Sequence, residues 1–239
     1  MIYFILLILG IIFCVIFNII RVKEGGIKAL LLKTLTSSLF VCCAAAATVR
    51  DLNSDNLIFA LFVIVGLVFG LLGDIWLDLK WIYSKDNDVF TFSGFACFLI
   101  GHLVYITGLF TTYVDYSKPM YIIVPIAVAA VLALGMILLE KPMKLNYGKF
   151  RVIVGVYSFI LVFMAFLSGS LSLMYGFECK TLVMMCIGGV FFLISDFILS
   201  GTYFGTGKRR PLDVVTNHAT YYIAQFLIAG SLLFIGQKI

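Results

Sequence analysis

The sequence predicts an all-α, polytopic membrane protein with eight transmembrane helices, and three observations carry that prediction. Of its 239 residues, 63% are hydrophobic and only 12% charged, with a mean hydropathy of +1.14, far from the composition of a water-soluble domain. The apolar residues come in successive runs of about 20, the helical length that crosses a hydrocarbon core of roughly 30 Å. These runs do not alternate as barrel strands do, and without water the helix is the default way to satisfy a spanning backbone.

Spans are expected at about 2–20, 28–49, 56–79, 91–113, 119–139, 150–174, 181–203 and 214–236, forming one integral membrane domain over 1–239. The first starts MIYFILLILG, with Arg21 and Lys23 only after the apolar stretch. That polarity is wrong for a cleavable signal, so this helix is expected to be retained. The second span carries Lys33 in its first half, and the third ends in GLVFGLLGDIWL, with Asp74 near the close of the run. In that run Gly66, Gly70 and Gly73 recur at helical spacing and form a close-packing face. His102 and Tyr105 lie in the fourth span, and Pro125 is placed to bend the fifth, whereas Pro119, Pro142 and Pro211 fall at or near span ends. The sixth span holds Tyr157. The seventh, GGVFFLISDFIL, aligns with the third without gaps and sets Asp196 opposite Asp74. The eighth carries His218, Tyr221, Tyr222 and Gln225.

A formal charge of +5 is explained first by topology, and nucleic-acid binding is not supported. The odd-numbered connections hold Arg21, Lys23, Lys28, Lys80, Lys85, Lys141, Lys144, Lys149, Arg151, Lys208, Arg209 and Arg210, against only Arg50, Lys118, Lys180 and Lys238 elsewhere. The odd connections are therefore expected in the cytoplasm and both termini outside, in a bacterial cell membrane. Asp74 and Asp196 then lie five and seven residues before the inner ends of their spans, roughly 7 to 11 Å in. Lys33, His102, His218, Tyr222 and Gln225 fall in the same inner half. Cys14, Cys42, Cys43, Cys97 and Cys186 sit in apolar runs without metal-type spacing, as small packing residues do, and Cys179 lies in a loop with no evident partner.

Charged residues inside spans are costly and usually face a cavity or a partner. Asp74 either pairs structurally with Lys33 or does chemistry; Lys33 either snorkels, holds a lipid phosphate or tunes an aspartate. Asp78, one turn after Asp74, is expected at the interface as a solvated carboxylate. His102 is as readily a packing residue as a participant, and His218 is expected to be structural. Trp76, Trp81, Tyr83, Tyr203, Tyr221 and Tyr222 lie near inner ends, where aromatics form belts, with Tyr105 and Tyr222 as exceptions whose hydroxyls can orient a carboxylate or substrate. The His102/Tyr105 spacing recurs as His218/Tyr221, so a parallel four-plus-four repeat is possible.

A zinc site would have to combine both histidines with Asp74 or Asp196, and Ser195 has no assigned base and no nucleophile elbow. Two carboxyl groups, one protonated and one ionised, suit general acid–base catalysis through an oxocarbenium ion. A small-solute or proton-coupled transporter is the alternative, because paired membrane aspartates and parallel repeats also suit alternating access.

GLVFGLLGDIWL, FACFLIGHLVYITGLF from Phe95, GGVFFLISDFIL and TYYIAQFLI from Thr220 resemble, in order, the signature segments of the YhhN-like lysoplasmalogenase family. Lys33 with TLTS, and Tyr157 with Met164 and Ala165, resemble its weaker motifs, although Thr34 stands where a proline more usually follows the lysine. The resemblance implies an eight-helix hydrolase, without cofactor or metal, that cleaves the vinyl ether bond of lysoplasmenylcholine or lysoplasmenylethanolamine to a fatty aldehyde and a glycerophospho head group. Its substrate would be a single-chain ether phospholipid taken from the membrane. By position it makes Asp74 and Asp196 catalytic, with Lys33, His102, Tyr105, Tyr157, Tyr221, Tyr222 and Gln225 supporting. His218 and Asp78 lie outside the family pattern. The sequence leaves head-group preference and oligomeric state open.

Overall fold

A computed structural model describes residues 1–50, 54–205 and 210–236, so Lys208, Arg209 and Lys238 of the charge pattern lie outside the described residues. Among those residues there is no strand. Eight long helices follow one another: α1 (Ile2–Lys23), α2 (Gly26–Arg50), α3 (Ser54–Leu79), α4 (Asn87–Thr112), α5 (Met120–Leu138), α6 (Arg151–Met174), α7 (Lys180–Phe204) and α8 (Pro211–Ser231), with single 3₁₀ turns at Ser84–Asp86, Gly148–Phe150 and Leu232–Phe234.

The outer surface is apolar. On α1 the exposed residues Ile5, Ile8, Ile12, Ile16 and Ile19 form one helical stripe, while Tyr3, Gly10 and Phe17 turn inward. Polar residues are instead buried between helices, Lys33, Asp74, Asp78, His102, Asn217 and Gln225 among them. This inversion of the soluble pattern fits a multi-pass integral membrane protein. Seven helices, α1 to α7, are long and apolar enough to cross a membrane. α8 falls outside that set, in contrast to the expected span at 214–236, because Asn217, His218, Thr220 and Gln225 lower its hydropathy. Its buried face includes Asn217, Tyr221, Tyr222 and Gln225.

Short connections hold the helices side by side. α1 turns into α2 through Gly25 and Gly26, at φ +67 and +63, a left-handed pair that side chains resist. The Gly25 amide there donates back to the Ile20 carbonyl at 2.9 Å. Asp115 makes the α4–α5 turn by accepting from the Ser117 amide at 2.9 Å and hydroxyl at 2.6 Å, and those bonds hold its carboxyl below the usual range. Between α5 and α6, the Asn146 amide donates to the Phe204 carbonyl at 2.8 Å and anchors that connection to the end of α7.

The glycine face of α3 brings α4 close. A side chain on Gly101 would press within 3.0 Å of the Gly66 carbonyl, and one on Gly73 within 2.7 Å of the Phe98 ring. Packing runs α1–α2–α3–α4 and α5–α6–α7–α8, and the two series join where α4 meets α6 and where α8 meets α1, α2 and α3.

Candidate active site

The ends of α1, α3 and α7 and the starts of α2 and α8 enclose a small polar pocket of about 40 Å³, with Asp74, Asp78 and Asp196 all in its lining. That is room for ordered water.

Asp74 is 2% exposed and fully engaged. It accepts from the Ser37 hydroxyl at 2.6 Å and the Tyr221 hydroxyl at 2.7 Å, and faces the Lys33 ammonium at 3.0 Å. Lys33 also reaches Asp78 at 3.3 Å, and Arg21 closes the chain with a second ion pair to Asp78. The expectation that Asp78 is a solvated interfacial carboxylate is thus corrected: it is 3% exposed, and two cations compensate its burial. Lys33 does not snorkel; its charge lies between two carboxylates, the structural pairing that the sequence left as one alternative.

Asp196 differs in every respect. It is half-buried and accepts a hydrogen bond from Tyr157 on α6. Among the described residues no ion pair falls on it. It also lines a second space, an apolar groove of about 310 Å³ between α5, α6 and α7 walled by residues such as Leu132, Met136, Leu161 and Leu193. Asp196, Leu199 and Tyr203 border both spaces. Asp196 therefore stands where a polar chamber meets an apolar one.

Neighbouring side chains fix these positions. The Asn217 amide donates to the Ser195 carbonyl at 2.7 Å and to the Ser195 hydroxyl at 3.0 Å, and Ser195 donates to the Asn217 carbonyl at 3.2 Å. This clasp between α7 and α8 commits the serine beside Asp196 to structure. Tyr222 lies 3.2 Å from the Ser37 hydroxyl and donates to the Lys33 carbonyl at 3.3 Å, while Gln225 donates to the Tyr221 hydroxyl at 2.9 Å. Tyr221 is accordingly buried and not part of an interfacial belt, and Tyr222, the exception to that belt, is buried beside it. Of the residues singled out in the sequence, Lys33, Asp74, Asp196, Tyr157, Tyr221, Tyr222 and Gln225 belong to this one constellation.

His102 and Tyr105 lie beside this constellation, outside the polar pocket. With Phe98, Phe192, Gly66, Gly70 and Gln225 they line a second small gap, and the His102 ring meets that of Tyr157, the partner of Asp196, with centroids 6.0 Å apart. The His102 Nδ1 faces the Phe98 carbonyl at 2.7 Å, and its Nε2, the Tyr105 hydroxyl and the Gln225 carbonyl oxygen are buried without a hydrogen-bond partner. The zinc set that the sequence permits is not brought together, and no cluster of three or more His, Cys, Asp or Glu residues forms among the described residues. All six cysteines are free.

Sequence reasoning missed Arg21, Ser37, Asp78 and Asn217 as parts of the site. Arg21 and Asp78 sit at span ends, where charge is ordinary, and only the uncommon Asn217 in an apolar stretch carried a signal.

An apolar exterior, buried ion pairs and a polar pocket bordering an apolar groove define the class, a multi-pass membrane protein with a polar site buried between its helices. The YhhN family model matches residues 29–232, and the chain belongs to that family. No curated protein and no solved structure is similar enough to the chain to be matched.

Proposed function

We propose that the protein is a lysoplasmalogenase-type hydrolase that cleaves the vinyl ether bond of a single-chain ether phospholipid. The observation that carries this reading is the position of Asp196 on the border between the polar pocket and the apolar groove. In such a lipid the vinyl ether lies at the junction of head group and tail. With the tail in the groove and the glycerophospho group reaching past Asp196 towards the mouth of the pocket, the reacting atoms fall beside Asp196.

The two carboxyl groups have the unlike surroundings that acid–base catalysis needs. Asp74, with Lys33 at 3.0 Å and two hydroxyl donors, is set up as the carboxylate. Asp196, beside apolar walls and with no ion pair among the described residues, is set up as the proton-bearing acid. It protonates the β carbon of the vinyl ether, giving an oxocarbenium ion. Water from the pocket attacks the cation, and the Asp74 side of the pocket stabilises the charge and takes up the proton. The resulting hemiacetal collapses to aldehyde and alcohol. Tyr157 orients the acid; Tyr221, held by Gln225, orients the base.

The wider architecture belongs to the same proposal. All eight helices span, α8 included, because its polar residues face the site and leave its other face to lipid. The four-plus-four repeat is supported by the matching neighbour order of the two halves and by the crosswise contacts of α4 with α6 and α8 with α2. The basic connections face the cytoplasm and both termini lie outside. Purified protein is expected to release fatty aldehyde from lysoplasmenylcholine or lysoplasmenylethanolamine; accumulation of intact lipid under all conditions removes the assignment.

A further inference from the structure

Where the two aspartate-bearing helices reach the mouth of the pocket, the sequence repeats a spacing: Trp81 follows Asp74 by seven residues, and Tyr203 follows Asp196 by seven. On α7 two helical turns return Tyr203 to nearly the face of Asp196, and Trp81 sits in the turn just past the end of α3. Both aromatics line the polar pocket, and their rings meet edge to face with centroids 6.1 Å apart. The corner between them already receives a cation. The Lys80 ammonium lies 3.0 Å from the Tyr203 ring centroid and 4.7 Å from that of Trp81.

Two observations match this corner to a ligand. An ammonium over two aromatic faces is the geometry that recognises choline-type groups. The rise from Asp196 to Tyr203 is about 10.5 Å along α7, and the roughly nine bonds from the ether oxygen of a glycerophosphocholine to its nitrogen extend to about 11 Å.

We propose that the Trp81–Tyr203 corner is the subsite for the ammonium of the lipid head group, choline or ethanolamine, and that the Lys80 ammonium holds this place until the head group displaces it. This rests on the lysolipid-hydrolase reading and assigns the head-group end of that substrate.

The test measures binding of a saturated 1-O-alkyl lysophosphocholine, which has no vinyl ether to hydrolyse, and of the headless 1-O-alkylglycerol, to the full-length protein in maltoside micelles. Trp81→Leu and Tyr203→Leu are expected to weaken the phosphocholine ligand by about tenfold and to leave the alkylglycerol unchanged. Tyr203→Phe, which keeps the ring, should bind as the parent does, and Lys80→Met should tighten the phosphocholine ligand alone. Equal loss of both ligands, or weaker phosphocholine binding in Lys80→Met, overturns the subsite. Should Tyr203→Leu fail to fold, Trp81→Leu and Lys80→Met decide the matter. Head-group preference without aldehyde release removes the hydrolase reading and keeps the subsite. Aldehyde release with no effect of these variants on head-group preference removes the subsite alone.

Discussion

At the scale of single residues, the pocket divides its charges unevenly. Lys33 touches both Asp74 and Asp78, so Lys33→Met leaves two buried carboxylates short of a cation. It is expected to cost about 3–5 kcal/mol, the penalty for breaking a buried pair, read as a lowered unfolding temperature in detergent. Tyr157→Phe removes only the hydroxyl that donates to Asp196. It should leave the unfolding temperature within a few degrees of the parent and lower kcat by about tenfold or more, as loss of a hydrogen bond to an ionisable group does; an unchanged kcat would deny Tyr157 its positioning role. Asp74 and Asp196 were legible in the sequence because a carboxyl inside an apolar run is expensive, and expense is a signal. Arg21 and Asp78 were not, because charge at a span end costs little and reads as topology. Only packing shows that these ends fold inward onto Lys33.

At the scale of elements, small residues decide which helices meet. The spacing of Gly66, Gly70 and Gly73 showed that α3 has a close-packing face, and the structure supplies its tenants, Tyr105, Gln225 and Phe98. Gly66→Ala would drive a methyl into the Tyr105 ring and is expected to destabilise the α3–α4 pair by about 1–3 kcal/mol. Gly135 on α5 is the opposite case. It lines the apolar groove, and a side chain there would meet nothing within 4 Å. Gly135→Phe should therefore fold normally and block the groove, raising KM for a long-chain substrate more than for a short-chain one. Equal KM for both chain lengths would place the tail elsewhere. α8 was recognised as a helix from its apolar run, but its polar face lowers its hydropathy below that of the other seven. The same residues that weaken its membrane signal build the site. The gap around His102 and Tyr105 was not foreseeable, because spacing places both on α4 without revealing that His102 packs against Phe192 and Tyr157 and that neither residue lines the pocket of the aspartates.

At the scale of the whole molecule, two four-helix series each bring one aspartate to the same pocket, Asp74 from α3 and Asp196 from α7. The local likeness of GLVFGLLGDIWL and GGVFFLISDFIL set the two aspartates opposite one another in the sequence, and the proposed repeat starts from that likeness. On the proposed eight-span topology with the basic odd connections inside, a carboxy-terminal alkaline phosphatase fusion in bacteria is expected to be active, and a cytoplasmic reporter fused at the same point silent; the reverse would invert the topology. The central claim is that two carboxyl groups in unlike settings hydrolyse a vinyl ether at the border of pocket and groove. Its most direct test is aldehyde release from lysoplasmenylcholine by the purified parent, Asp74→Asn and Asp196→Asn proteins, each checked for folding by its unfolding transition. The account predicts turnover in the parent and a fall of at least about a hundredfold in each variant; full activity in both folded variants would contradict it.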